Sequence, residues 1–317
     1  MPDTTSTELT TAELDAIYED CKNWGRWGTS DERGALNHQT SAHRVAAAAL
    51  VREGRCLSLA HDLPTSPSAE TPFPAHHHML AAGDARDSSG VVGYEACGDF
   101  IGTQVHGLGL THIDALCHMF VRGEMYNGVP ASEVKSNGAL RNTIMSVADG
   151  LLGRGVLLDI PAALGVDFVP AEQSIRLADL RVAEARQQLE VGTGDFLLIS
   201  TGRDNRRRAH HNSLSPFTQG LAGLHPDCLP WLHERCISVL GGDGISDHMP
   251  FRSIPDWPFP IHQIGITGIG LHLIDNMHLG ELALQCSELG RWEFLLTVNS
   301  IRIPRGTGCP VNPIAVF

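Results

Sequence analysis

Strand-like and helix-like segments alternate through the second half of this 317-residue chain, which predicts an α/β fold built on a substantial sheet. Residues 151–160 and 195–200 strengthen that expectation, because both are unbroken apolar runs of the kind that buried strands carry. The length suffices for a full core, and neither a linker nor an internal repeat interrupts residues 11–317. One domain is therefore expected, preceded by a flexible tail over residues 1–10.

Taken in order, residues 11–23 read as a helix, with Thr10 or Thr11 as its cap and Glu13 in the first turn. Trp24 and Trp27 follow among glycines, where they either plug the core from a loop or wall a substrate pocket. Residues 41–52 are Ala-rich with a Ser cap and read as a helix, and 56–63 as a short strand. His76, His77 and His78 follow a Pro/Ser/Thr loop; consecutive strand residues point to alternating faces, so the three do not easily share one ion, and they read as a solvated loop or as offering one of the three to a site. Residues 88–100 lead towards a sheet, and Tyr126-Asn127-Gly128 marks a turn within 121–134. Helices are expected at 174–189, 224–234 and 279–289, and strands at 237–240, 292–298 and 300–303. The apolar stretch 259–273 carries His262 and His272, and the basic patch Arg206–Arg208 reads as a solvated or subunit-covering surface.

Apolar residues make up 42% of the chain and charged residues 19%, as in a folded protein, with a net charge of -13. So acidic a chain argues against nucleic acid as partner, although a bound metal could still attract an anionic substrate. The polar N-terminus is no signal peptide, and no run reaches the ~18 apolar residues of a membrane span. Eight cysteines without a Cys-x-x-Cys pair fit reduced thiols in the cytoplasm better than a disulfide framework.

The chemistry concentrates in residues 105–120. His106, His112, Asp114 and His118 all have even numbers, and side chains of one parity share a face in an extended chain. Gly107 and Gly109 disfavour helix and permit a bend between His106 and His112. His112 and Asp114 are suited to hold one Mn²⁺ or Zn²⁺ that activates water, and His118 to move protons. No His-Glu-x-x-His, Gly-x-Ser-x-Gly or P-loop competes with this assignment.

The segment Thr111-His112-Ile-Asp114-Ala-Leu-Cys-His118 resembles the signature of the cyclase-like metal-dependent hydrolases, His-x-Gly-Thr-His-x-Asp-x-Pro-x-His. Bacterial kynurenine formamidase, isatin hydrolase and trans-dienelactone hydrolase types belong to that family. Similarity extends to the Trp-Gly segment at 24–37, the strand at 194–199, Gly-Asp-Gly-Ile-Ser-Asp at 242–247 and Gly-Arg-Trp-Glu-Phe-Leu at 290–295. The resemblance implies a swivelling β/β/α fold with a mixed central sheet, and a homo-oligomer, dimer or tetramer. Leu108 stands where the family has its first His, which favours one ion over two; His106 would replace it if Gly107-Leu108-Gly109 bends back. His106 is otherwise placed on the substrate side with Trp24 and Trp27. The family's later His corresponds to His262, a catalytic candidate, and its following Glu or Gln has only His272 and Asp275 as counterparts. Of these, His272 is taken as the third ligand. The implied reaction is hydrolysis of the C–N bond of a small cyclic or aryl amide; lactone hydrolysis, or metal binding without turnover, are the alternatives.

Overall fold

Nine strands form one mixed sheet among the described residues of the computed structural model, which are 9–84, 91–211, 214–249 and 254–317. In chain order they are β1 (Cys56–Ser58), β2 (His112–Asp114), β3 (Leu151–Asp159), β4 (Phe196–Ser200), β5 (Val239–Gly242), β6 (His272–Asp275), β7 (Glu293–Val298), β8 (Gly308–Pro310) and β9 (Ile314–Val316). Across the sheet they run β1-β9-β7-β3-β4-β5-β6-β2-β8. The four central strands, β3 to β6, are mutually parallel, and antiparallel pairs flank them on both sides. Most of the expected tail, residues 1–8, lies outside the described residues.

Each central strand is buried on both faces because successive side chains point to opposite sides. Val156, Leu158, Leu197, Leu240 and Leu273 enter one core; Leu157, Phe196, Leu198, Val239 and Ile274 enter the other. This explains why the strands read as continuous apolar runs. Helices α1 (Thr11–Asp20), α2 (Ser41–Ala48), α3 (Leu177–Gln187), α4 (Arg203–Ala209), α5 (Leu229–Glu234) and α6 (Gly280–Leu289) connect and cover them.

Local chemistry sets several boundaries. Thr10 and Glu13 close a reciprocal capping box at α1. At α2 the cap is Thr40, one residue before the expected Ser41. The expected strand at 300–303 is absent: Pro304 lacks an N–H, Arg305 is left-handed at φ 65°, and the sheet gains β8 and β9 instead. The apolar stretch 259–273 divides into a helical turn at Pro260–His262, a π-helical segment at Gln263–Ile269 and β6. His76, His77 and His78 lie on a separate antiparallel ribbon, His76–Ala81 against Gly98–Gly102. The basic patch is only partly solvated, since Arg206 donates to two carbonyls and Arg207 pairs with Glu70 and Asp204. All eight cysteines are free thiols. Among the described residues, no helix is long and apolar enough to cross a membrane.

Candidate metal centre

The centre is built where β2 joins β6. Their antiparallel register sets His112 opposite Asp275 and Ile113 opposite Ile274, so His112, Asp114 and Asp275 share one face. Asp114 is fully buried, and Asp275 is 3% exposed.

His106 reaches the same point from a bend. Asn276, left-handed at φ 55°, donates its Nδ2 to the carbonyls of Gly107 and Leu110, 2.8 and 3.2 Å away. The buried Arg203 donates Nη2 to the Leu108 carbonyl and Nη1 to Asn276 Oδ1. Held this way, His106 turns back, with Nδ1 2.8 Å from Asp114 Oδ1 and Nε2 3.0 Å from Thr307 Oγ1. Its ring stacks on that of His118 at 3.7 Å. His106, expected on the substrate side unless Gly107-Leu108-Gly109 bends back, stands in the carboxylate cluster and also borders a cleft lined by Pro64, Phe73, Gln104, Leu108 and Phe217.

His262 approaches from the helical turn before the π-helical segment. Asp247 holds it firmly: one carboxylate oxygen accepts the Ile261 N–H, and the other accepts from the His262 N–H and from Nδ1 at 2.7 Å. The other nitrogen, Nε2, then hydrogen-bonds Asp275 Oδ2 at 3.3 Å and lies 3.5 Å from Asp114 Oδ2. Asp114 is thus shared by two groups with ligand spacing, His106–His112–Asp114 and Asp114–His262–Asp275.

The donor set fits a metal ion. His112 Nδ1 donates to the Leu110 carbonyl at 2.8 Å, which leaves Nε2 with a lone pair facing Asp114. Asp114 Oδ2 and Asp275 Oδ1 are buried without any hydrogen-bond partner. Three buried carboxylates surround a single imidazole, an excess of negative charge that a cation would balance. Burial alone would raise the Asp114 carboxyl, but the His118 ring, the His106 hydrogen bond to Oδ1 and the nearby His262 and His112 rings hold it well below the carboxylate range. Burial would lower His262, yet Asp275, Asp114 and Asp247 together raise it well above its ordinary value. Burial pushes His118 down to about 4, leaving it neutral at pH 7 and able to accept a proton.

His272 lies elsewhere. It is three residues from Asp275 on the same strand, so its side chain points to the opposite face, where Nε2 meets Ser146 Oγ at 3.2 Å. Asp275, not His272, therefore faces His112 and Asp114. Trp24 donates to the Thr267 carbonyl and packs against the core, while Trp27 stands edge-on to His38. Asp247, Asn276 and Arg203 had no assigned role in the sequence. A usable signal existed for Asp247, which closes a Gly-rich loop after a buried strand, where α/β sheets place functional groups.

A mixed sheet whose β2–β6 junction gathers histidines and buried carboxylates defines an α/β protein with a candidate metal centre. Residues 35–247 match the family described as "Putative cyclase". A crystal structure described as a novel cyclase is 31% identical, with a TM-score of 0.83, covering 94% of this chain and 100% of that one. The chain belongs to the cyclase family. Isatin hydrolase A from Labrenzia aggregata, bound to benzyl benzoate, shares the fold at TM-score 0.58 and 19% identity, covering 87% of this chain and 98% of that one. Isatin hydrolase A from Ralstonia solanacearum does so at 0.59 and 17%, with 88% and 98% covered. No curated protein matches the chain.

Proposed function

We propose that this protein is a metal-dependent hydrolase that cleaves the C–N bond of a small cyclic or aryl amide. The observation that carries the reading is the buried, unpartnered oxygen of Asp114, placed between two groups of ligand-spaced side chains. His112 and Asp114 would hold one Mn²⁺ or Zn²⁺, with His106 supplying the third position. Such an ion lowers the pKa of bound water and polarises a carbonyl.

The protein's own groups do the rest. His118, neutral and next to His106, accepts a proton from the attacking water and returns it to the leaving nitrogen. Asp247 fixes His262 so that its Nε2–H can donate to the substrate carbonyl oxygen as charge develops there. The cleft beside His106, with Phe73, Leu108 and Phe217 on its walls, offers apolar surface to a ring. Those apolar walls and the family resemblance support an aryl or cyclic amide; the same groups would open a lactone.

Metal analysis together with a panel of isatin, aryl formamides and lactones tests this proposal. Turnover of an amide, lost on chelation and reduced at least about 100-fold in His112→Ala, is the expected result. Activity that survives both treatments would overturn it, and turnover of lactones alone would move the assignment to ester hydrolysis.

A further inference from the structure

We infer that His61, Asp204 and His278 form a second divalent-cation site, sharing no residue with the centre around Asp114. They come from three separate segments: the chain after β1, the first turn of α4, and the residues just before α6. His61 Nε2 is 3.8 Å from Asp204 Oδ1, and His278 Nδ1 is 3.3 Å from Asp204 Oδ2. One ligand atom from each residue lies within 4.8 Å of the other two. Two bonds of roughly 2.0–2.2 Å meeting at a tetrahedral angle span about 3.4 Å, so the His278–Asp204 pair already has ligand spacing and His61 would close by a few tenths of an ångström.

The pointer to a ligand is Asp204 itself. Its side chain is 9% exposed; Oδ1 accepts from Arg207 Nη1 at 3.1 Å, while Oδ2 is buried with no hydrogen-bond partner. The carboxylate sits beside the start of α6, where a Cβ on Gly280 would come within 3.0 Å of Oδ2, yet no N–H donates to that oxygen. A buried carboxylate oxygen without a donor is costly, and a cation removes the cost.

His278 is oriented for the same purpose. Its Nδ1 faces Asp204, while Nε2 lies 4.0 Å from the exposed Glu281 carboxylate, an ion-pair distance rather than a hydrogen bond. The His61 and His278 side chains are 20% and 28% exposed, so an ion can enter and water can complete its coordination. One existing contact would give way, the Arg207 Nη1 hydrogen bond to His61 Nε2. Arg207 would retain Glu70 through Nε and Nη2. Two imidazoles and one carboxylate favour Zn²⁺ over Mg²⁺ or Ca²⁺, which prefer all-oxygen shells. The bound ion would clamp α4, the start of α6 and the His61 segment, whose backbone N–H already donates to Thr111 next to His112.

The test is titration of the metal-stripped full chain with Zn²⁺, with metal content measured after dialysis. Wild type should retain one equivalent more than His278→Ala or Asp204→Asn, and His112→Ala should keep that equivalent. Zn²⁺ should raise the melting temperature of His112→Ala but not of the His112→Ala/His278→Ala double variant. Folded His278→Ala and Asp204→Asn that retain as much Zn²⁺ as wild type would overturn the site. Should Asp204→Asn not fold, His278→Ala, at a partly exposed position, decides alone. A wild type whose sole equivalent survives His112→Ala and vanishes in His278→Ala would keep this site while removing the proposed hydrolase centre.

Discussion

Asn276 decides whether His106 belongs to the centre. Its amide bridges the Gly107 and Leu110 carbonyls, and Arg203 secures both Asn276 and Leu108. Asn276→Ala should release the bend and weaken metal affinity about 10-fold or more, read by competition with a chelator. Asp247→Asn should lower kcat by about 10- to 100-fold with metal content unchanged, because it disturbs only the support of His262. His272 gives a pH signature. Burial drives it down to about 3, so the folded state stays neutral while the unfolded imidazole gains a proton below about 6.5. That stability is therefore present above pH 6.5 and is lost as pH falls towards 3, at roughly 1 kcal/mol per pH unit. Urea unfolding at pH 7 and pH 5 should show the loss in wild type and a smaller one in His272→Gln. His112 and Asp114 were legible in the sequence because parity along one strand needs no tertiary knowledge. His106 and Asp275 were named there without being placed: one depends on a bend held by Asn276, the other on the register between strands separated by more than 150 residues.

Among the elements, the segment after His262 was the hardest to read. Gln263–Ile269 is entirely buried, so no polar face gives it a helical period, and its isoleucines and glycines suggest a strand equally well. The buried strands were easy for the opposite reason, since continuous apolar runs of strand length have few other uses. A tight approach links the elements to the site. A Cβ on Gly223 would lie 2.3 Å from the Asp247 carbonyl carbon and oxygen, so Gly223→Ala must move the backbone that carries Asp247. The variant should lose about 1–3 kcal/mol of stability and lose kcat as well, as shown by denaturant melts and turnover on the same preparation.

At the scale of the molecule, the ribbon His76–Ala81/Gly98–Gly102 leaves Leu80, Phe100 and Ile101 at 67%, 46% and 57% exposure. Apolar side chains left open on both faces of a ribbon favour association, and a homo-oligomer is proposed accordingly. Light scattering should give a multiple of the 34.2 kDa chain mass, and Leu80→Glu with Ile101→Glu should reduce it towards a monomer. The sheet order has a further consequence, in time rather than space. β2 sits between β6 and β8, so the strand bearing His112 and Asp114 waits for partners made some 160 to 200 residues later. During synthesis the ribosome must release β8 before β2 has both neighbours, and closing so long a loop is slow. The metal centre should therefore be among the last parts of the nascent chain to mature, and until then its carboxylates remain open to water.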